Sequence, residues 1–182
     1  MKSGKVIRSF RAKDGRKVVL RTPKWEDLDD FLELINSLVE ERADILRSER
    51  VPREEEIDFL SRVLNRLEKD ETFFLVAEVD GKVVAVSDIN KRSDYEKHVG
   101  VLGIAIKDGF RDLGIGTEIM KTLVKESRRM GLSVLTLSAF ATNKRAICVY
   151  EKVGFVQTGV IPRKFFKGGK YIDEIMMTKL LE

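Results

Sequence analysis

Two glycines at the start of a helical pattern form the part of the sequence that most directly suggests chemistry. Gly114 and Gly116 lie in the stretch GFRDLGIGTEIM, where an apolar strand-like run gives way to helical spacing. Glycine lets the backbone turn tightly and lets a ligand approach its N–H groups. The first N–H groups of a helix have no partner inside it, and the helix dipole places partial positive charge there. The stretch therefore predicts an anion site suited to a pyrophosphate, with Arg111 beside it.

Two common phosphate-binding patterns do not fit this turn. No Lys-Ser or Lys-Thr pair follows the glycines, as a P-loop would require. The dinucleotide-binding fingerprint needs a third small residue, where this chain has Thr117 or Ile119. That fingerprint also opens a run of parallel strands, whereas two helical and four strand-like segments precede the strand that leads into this turn. Taken alone, the turn is also compatible with an ordinary helix start that binds nothing.

A second motif lies about thirty residues further along the chain. The turn reads R-x-x-G-x-G over residues 111–116, and N-x-x-A-x-x-x-Y-x-x-x-G-F follows over residues 143–155. In these two motifs and in the order of its strands and helices, the chain resembles the GNAT superfamily of N-acetyltransferases. The resemblance covers about Val18 to Leu181. It implies acetyl-coenzyme A (acetyl-CoA) as the donor and direct acyl transfer to an amine.

The resemblance also implies which residues bind the coenzyme. In the family the R-x-x-G-x-G turn wraps the pyrophosphate with backbone amides. The preceding strand is splayed from its neighbour and offers hydrogen bonds to the amide groups of the pantetheine, as does the asparagine of the second motif. The coenzyme-binding residues expected here are Ile104, Ala105, Ile106, Arg111, Asp112, Leu113, Gly114, Ile115, Gly116, Thr117, Asn143, Ala146 and Tyr150.

Tyr150 is the expected catalytic acid. When an amine attacks a thioester a thiolate leaves, and a phenol within hydrogen-bond reach can protonate it; the family commonly uses this tyrosine so. The general base stays open between a water, as some family members use, and the side chains of Asp88, Glu96 and His98, the last of which is the only histidine of the chain. We expect Cys148, which has no identified base beside it, to be a buried packing residue rather than an acyl-carrying nucleophile.

The resemblance implies that the first two helices and the last hairpin form the acceptor side, and the charge of those helices suggests what kind of acceptor binds there. The formal net charge is +4, but residues 26–71 contain 16 acidic and 7 basic residues, a local net charge of −9. Such a segment attracts a cationic acceptor, such as a polyamine, a lysine side chain or a protein amino terminus, unless its acids are ordinary solvated helix faces. The expected acceptor contacts are Glu40, Glu41, Asp44, Asp88 and Tyr171. The basic and aromatic letters RKFFKGGKY around Tyr171 favour a hairpin tip over a nucleic-acid surface.

Turn residues and periodicity indicate the elements that position these groups. Asp14-Gly15, Asp80-Gly81 and Gly168-Gly169 each lie between strand-like runs and predict three hairpins. Two acidic helices follow the first hairpin, one helix follows the glycine turn, and a short one follows Asn143. The order ββ-αα-ββ-β-α-β-α-ββ predicts an α/β (α+β) fold. We expect a GNAT-like mixed, mostly antiparallel central sheet of about seven strands flanked by about four helices.

Length and composition favour a single domain over residues 1–182. Hydrophobic residues make up 43% of the chain, and no run approaches the ~20 apolar residues of a membrane span. We expect a cytoplasmic enzyme without a metal, whose partner is a small-molecule or peptide amine, with a homodimer as one option. Neither a membrane nor a nucleic acid is expected as a partner. The alternative from another class is a non-catalytic acyl-CoA-binding regulatory module, which would keep the turn and lose the acid.

Overall fold

The computed structural model describes residues 1–181, and the strands among them form one sheet. In chain order the strands are β1 (Val6–Arg11), β2 (Lys17–Arg21), β3 (Thr72–Val79), β4 (Lys82–Lys91), β5 (Val99–Ile106), β6 (Val134–Phe140), β7 (Val156–Lys167) and β8 (Lys170–Leu180). In space their order is β1-β2-β3-β4-β5-β6-β8-β7. Within residues 1–181 all neighbours are antiparallel except β5 and β6. The predicted mixed, mostly antiparallel sheet is confirmed, and its eight strands follow the predicted order of elements, one more than the expected total of about seven.

Four α-helices cover the two faces of the sheet. They are α1 (Leu28–Glu40), α2 (Arg53–Glu68), α3 (Ile115–Arg129) and α4 (Lys144–Lys152), with single 3₁₀ turns at Trp25–Asp27 and Asp94–Glu96. The core under α1 and α2 includes Phe31, Leu60 and Phe74. The core on the opposite face includes Ile119 and Leu123 of α3. In the described part of the chain, no helix has the length and apolar character needed to cross a membrane.

The parallel strands β5 and β6 separate midway along their length. They are paired from Val99 to Val101, opposite Val134 to Thr136, and their register ends there. Beyond that point β5 stays paired with β4 as far as Ile106, while β6 continues alongside β8. Residues 102–106 of β5 therefore have one edge without a strand partner, and we call this opening the splay. The backbone groups on that edge are available to a ligand.

Different helices cover the two sides of the splay. Successive residues of a strand point to opposite faces of its sheet. Ile104 and Ile106 pack with the core under α3 and α4, whereas Ala105 packs with the core under α1 and α2. A molecule lying in the splay is therefore accessible from both faces. We refer to these as the α3–α4 face and the α1–α2 face.

Candidate active site

The turn between β5 and α3 contains three residues in the left-handed backbone region. Gly109, Asp112 and Gly114 have φ angles of +80°, +62° and +86°. Gly114 is the N-cap residue of α3, and no side chain caps this helix. At Gly116, a β-carbon would lie 3.2 Å from Ile106 Cδ1, so glycine lets α3 begin close to the end of β5. The two glycines of the predicted motif thus serve different purposes, one for conformation and one for close approach.

The backbone N–H groups of this turn are free. From Arg111 to Thr117, none of them donates a hydrogen bond to any other residue within residues 1–181. Left-handed and right-handed residues in succession direct such N–H groups into one concave surface that binds anions. The start of α3 adds its partial positive charge to the same surface. This geometry suits the pyrophosphate expected from the sequence.

The Arg111 side chain anchors the turn to its surroundings. Its Nε donates to the Ile106 carbonyl oxygen at 2.9 Å, and its guanidinium pairs with Glu41 at the end of α1. A further carboxylate, that of Asp108, lies 3.8 Å away. Arg111, which was expected to bind the coenzyme, therefore pairs with Glu41, which was expected to bind the acceptor. Arg111 fixes the turn against both β5 and α1.

Ile104, Ala105 and Ile106 lie in the splay, as expected for a strand that receives the pantetheine. Two other predicted coenzyme contacts are bonded to each other, since Asn143 Oδ1 accepts from the Ala146 N–H at 3.2 Å and caps α4. The side-chain NH₂ of Asn143 donates no hydrogen bond within residues 1–181 and stays available to a ligand. The cap explains why an asparagine suits this position even without a ligand.

Tyr150 lies on α4 with its ring in the core of the α3–α4 face. It is 6% exposed, and its ring centroid is 6.3 Å from that of Phe155. Burial raises the pKa of the Tyr150 phenol to about 12, so the hydroxyl keeps its proton at neutral pH. Within residues 1–181, Ser127 Oγ is the one fully buried side-chain polar atom without a hydrogen-bond partner. The Tyr150 hydroxyl also has no hydrogen-bond partner among residues 1–181, and it is not one of the fully buried atoms.

Cys148 corrects one expectation about α4. Its side chain is exposed, not buried. The helix directs Val149 and Tyr150 towards the sheet, and Cys148 lies outside that inward-facing stripe. The nucleophile alternative gains nothing from this exposure, because no base was identified beside Cys148 in the sequence.

Asp88 is the predicted acceptor-side residue that the structure places at the splay. It lies on β4 directly opposite Gly103 of β5. A β-carbon on Gly103 would lie 2.6 Å from Asp88 Oδ1, so the carboxylate occupies the space that this glycine leaves open. Burial raises the pKa of Asp88 to about 6, against the opposing effects of Arg66 and Asn90. Asp88 is thus a carboxylate that titrates near neutral pH, on the α1–α2 face.

Two further residues, which sequence reasoning missed, orient Asp88. The Asn90 side-chain NH₂ donates to Asp88 Oδ2, and Arg66 of α2 donates to Asn90 Oδ1 at 3.1 Å. Arg66 therefore determines which end of the Asn90 amide points to Asp88. The sequence did contain a signal, since Asp88 and Asn90 are polar residues at alternate positions of one strand and so share a face.

Glu96 and His98, the other two candidates for the general base, are not brought to the splay. Both are exposed and precede β5, and the His98 carbonyl accepts from the N–H groups of Ser133 and Val134 near the start of β6. His98 is five residues before Gly103. At the rise of an extended strand this corresponds to about 16 Å between their Cα atoms. They lie at the paired end of β5 and β6, away from Asp88.

The acids of the segment 26–71 are largely paired with cations. Of the expected acceptor contacts, Glu40 pairs with Arg50, Glu41 with Arg111, and Asp44 with Lys167. Three further pairs join Asp29 to Arg53, Asp30 to Lys82 and Glu33 to Lys107. Several of these cations come from outside the segment, so the acids fasten α1 and its following loop to the sheet. The local charge of −9 therefore overstates the attraction for an acceptor.

Tyr171, the last expected acceptor contact, lies at the exposed tip of the β7–β8 hairpin. Its ring contacts Phe166 at 5.0 Å and the Arg163 guanidinium at 4.2 Å. The residues that meet the α1–α2 side are its neighbours instead. Phe165 stacks on Phe140 at 3.8 Å between ring centroids, and Lys167 Nζ donates to the Ala43 carbonyl at 3.0 Å. The hairpin therefore covers one end of the α1–α2 face through Phe165 and Lys167, and Tyr171 is not part of these contacts.

A sequence profile described as the acetyltransferase (GNAT) family matches residues 33–155, more than half of the chain. The chain therefore belongs to the acetyltransferase (GNAT) family. The family uses acetyl-CoA, so the enzyme class and the donor expected from the sequence are confirmed. The fold expected from the same resemblance is confirmed as well.

Relatives and solved structures agree with this family. An N-alpha-acetyltransferase of Sulfurisphaera tokodaii is 27% identical over 169 residues, which cover 87% of this chain and 92% of the relative. A ribosomal-protein-alanine N-acetyltransferase from Brucella melitensis is 27% identical with a TM-score of 0.78, covering 89% of this chain and 99% of the other. A phosphinothricin acetyltransferase from Sinorhizobium meliloti, solved with acetyl-CoA, has a TM-score of 0.80 at 18% identity, covering 90% and 88%, and shows the fold alone. The chain spans only 40% of the length of an N-acetyltransferase relative from Xenopus tropicalis, at 31% identity over 48% of this chain.

Proposed function

We propose that this protein transfers the acetyl group of acetyl-CoA directly to the α-amino group at the amino terminus of a peptide or protein. The observation that carries the proposal is the placement of two titratable groups on opposite faces of one opening. Tyr150, a protonated phenol, belongs to the α3–α4 face, and Asp88, a carboxylate, borders the splay on the α1–α2 face. The splay between them has a free strand edge.

The donor occupies the turn and the splay. The free N–H groups from Arg111 to Thr117 hold its pyrophosphate, and the unpaired edge of β5 holds its pantetheine. This brings the thioester between the two faces. The amine nitrogen then attacks the thioester carbon from the α1–α2 face, the C–S bond breaks, and the sulfur takes the Tyr150 proton. Asp88 takes the proton that the amine loses.

The pKa of Asp88 favours an α-amine over a lysine side chain. With its pKa at about 6, the Asp88 carboxyl is ionised at neutral pH and can accept a proton. An α-ammonium group has a pKa of about 7.7–8.0 and a lysine ammonium about 10.4. Proton transfer to Asp88 is therefore uphill by about 2 pKa units from an α-ammonium group and by more than about 4 pKa units from a lysine ammonium group.

A second carboxylate on the acceptor side supports a cationic acceptor. Glu174 of β8 lies opposite Phe140 of β6 in the sheet and accepts a hydrogen bond from Ser138 Oγ at 2.6 Å. Phe140 meets the hairpin tip on the α1–α2 side, so Glu174 shares that face. Asp88 and Glu174 thus stand on the two sides of the opening, where they attract an ammonium group. The names of the Sulfurisphaera and Brucella proteins, both acetyltransferases of α-amines, agree with this acceptor.

A panel of four matched acceptors tests the proposal. The panel is a lysine-free peptide with a free amino terminus, an N-terminally blocked peptide containing one lysine, the free amino acid of the first peptide's amino terminus, and spermidine. We expect kcat/KM with the first peptide to exceed the others by about tenfold or more, because it combines the α-amine pKa with peptide contacts. Mass spectrometry of the products locates the acetyl group. Faster turnover of the blocked lysine peptide or of spermidine would contradict the α-amine assignment.

A further inference from the structure

A groove between the start of β1 and the second half of α3 is strongly cationic. It has a volume of about 530 Å³, and no residue of the coenzyme turn or of the splay lines it. Among residues 1–181 its one carboxylate, Glu126, is 4% exposed and is bonded by Arg129 at 3.0 Å. Five cationic side chains line this cationic groove, those of Lys5, Arg8, Lys121, Lys125 and Arg129.

The groove stays positive after its ion pairs are counted. Arg8 and Lys121 share a single carboxylate at its end, that of Glu118, at 2.9 and 3.0 Å. Lys5 and Lys125 form no ion pair with any residue among residues 1–181, and both are exposed. The groove therefore has unneutralised charge to offer an anionic partner.

One wall of the groove is the outer strand of the sheet. Within residues 1–181, β1 comes first in the spatial order of strands and pairs with β2 alone. Its other edge therefore carries backbone N–H and C=O groups without a strand partner, and such an edge can receive an extended peptide as an added strand. Val6, which is 60% exposed, adds an apolar side chain to the same wall. A second copy of β1 does not suit this edge, because it would bring Lys5 and Arg8 against the same cations.

The cations of α3 are spaced like the side chains of an extended peptide. Lys121, Lys125 and Arg129 lie four residues apart, so they form one stripe with about 6 Å between neighbours along the helix. The helix runs alongside β1 in the opposite direction, since the Lys13 N–H after β1 donates to the Leu113 carbonyl before α3 at 3.1 Å, while the start of β1 meets the later turns of α3. Side chains on one face of an extended strand are about 6.6 Å apart. Carboxylates at alternate positions of a peptide therefore match the stripe.

We infer that the cationic groove binds an extended acidic segment of a partner protein. The segment pairs with the free edge of β1 and directs alternate carboxylates to Lys121, Lys125 and Arg129. Charge complementarity favours an acidic segment over a neutral one. The open strand edge favours a polypeptide over a nucleic acid, which has no amide groups to continue the sheet. Because the groove lies apart from the splay, the inference does not rest on the acceptor proposed above.

Fluorescence anisotropy with a short labelled peptide of alternating Glu and Thr tests this inference. One control peptide has Lys in place of Glu, and another keeps the Glu residues but has every backbone nitrogen methylated. We expect the wild-type protein to bind the Glu peptide at least about tenfold more tightly than either control, with affinity falling as salt is raised. Lys5→Gln and Lys125→Gln should each weaken its binding by about 3- to 10-fold. Lys17→Gln, an exposed lysine of β2 outside the groove, is the matched control and should leave the affinity unchanged.

The other occupants give different results. Coenzyme A should bind all three variants as it binds the wild type, which shows that a lost peptide affinity does not come from misfolding. Absent binding of the Glu peptide, or equal binding of its methylated version, would overturn the inference. Displacement of the peptide by coenzyme A would assign the groove to the donor, and tighter binding of a single-stranded RNA of equal charge would assign it to nucleic acid. Self-association of the wild type that Lys125→Gln abolishes, measured by sedimentation, would assign it to a second copy of this chain.

Discussion

The two faces of the splay are built in different ways. On the α3–α4 side, the coenzyme turn uses backbone N–H groups from one continuous run, Arg111 to Thr117. On the α1–α2 side, the Asp88 site combines groups from separate elements: Arg66 lies on α2, Asn90 and Asp88 on β4, and Gly103 of β5 lies opposite Asp88. A backbone site depends on local conformation, whereas a side-chain site depends on strand register and helix docking. The backbone site can therefore be recognised in the sequence as a motif, whereas the side-chain site can be recognised only in the folded structure.

The same comparison bears on the use of charge to locate the acceptor. The acids of α1 and the loop after it were expected to face the acceptor, but most pair with cations, and Glu41 is bonded to Arg111 on the coenzyme side. Among residues 1–181 the carboxylate whose pKa is raised most is Asp88, which is partly buried and lies outside the acidic segment 26–71. A carboxylate that lies in a cleft without an ion-pair partner is a better candidate for a reacting group than an acid in a region of high negative charge.

The largest effect is expected for Asp88→Asn on the acceptor side. Because an amide cannot accept the amine proton, kcat/KM should fall by about 10³-fold at pH 7.5, and the loss should shrink at high pH where the amine is already neutral. Steady-state kinetics with the preferred acceptor measures this. Glu96→Gln and His98→Gln are the controls and should keep wild-type rates, because both residues are exposed beyond the far end of β5. A full loss of activity in either control would reverse the choice of base.

Stability separates loss of a base from loss of folding in the same variant. The folded-state pKa of Asp88, about 6, is above its ordinary value of 3.8, so ionisation destabilises the folded state. The protonated Asp88 therefore makes its full contribution to the free energy of unfolding below about pH 4. As the pH rises through about 6 this contribution is lost, which lowers the free energy of unfolding by an amount on the order of 2–3 kcal/mol. Asp88→Asn should accordingly unfold at the same or a higher temperature than the wild type at pH 8. A lower melting temperature would attribute the kinetic loss to misfolding.

A smaller effect is expected for Tyr150→Phe on the coenzyme side. Without the phenol the leaving thiolate must take its proton from water, so kcat should fall by about 10²-fold. The KM for acetyl-CoA should change by less than about twofold, because the turn that binds the pyrophosphate uses backbone groups. Tyr95→Phe is the matched control, since Tyr95 is 99% exposed. An unchanged kcat in Tyr150→Phe would assign this tyrosine to packing alone.

The smallest effect is expected for Arg66→Met, which tests the network around Asp88. The Arg66 charge lowers the pKa of Asp88, so its removal should raise that pKa above about 6. The acidic limb of the kcat/KM profile should move upward by about 0.5 to 1 pH unit, with little change at pH 9. Arg66 is the charged group that acts on the pKa of Asp88, and Glu71 lies 3.8 Å from Arg66, while Phe74 and Gly103 opposite Asp88 are uncharged. Arg62→Met, one turn away on α2, should leave the profile in place, and a shift there as well would indicate a general charge effect.

Much of the donor site was predictable because its information is local. The positive φ angles of Gly109 and Gly114 and the close approach at Gly116 require residues that a reader can recognise without coordinates. The Asn143 cap and the Tyr150 position likewise lie within one short helix. By contrast, nothing local to Glu96, His98 or Asp88 distinguishes the three as bases. The register between β4 and β5 separates them in space, since it places Asp88 opposite Gly103 and leaves His98 beyond the far end of the strand.

The sequence by itself determined the fold class, the donor and the expected acid of this protein, because hairpin glycines, helical periodicity and two contiguous motifs each act through neighbouring residues. The tertiary structure alone decided where the sheet opens, which carboxylate reaches that opening and which acids are tied up in ion pairs. Each of these depends on contacts between residues far apart in the chain, such as Arg66 with Asn90, Arg111 with Glu41 and Lys13 with Leu113. Such contacts follow from how elements pack, and periodicity and motif spacing do not encode that packing.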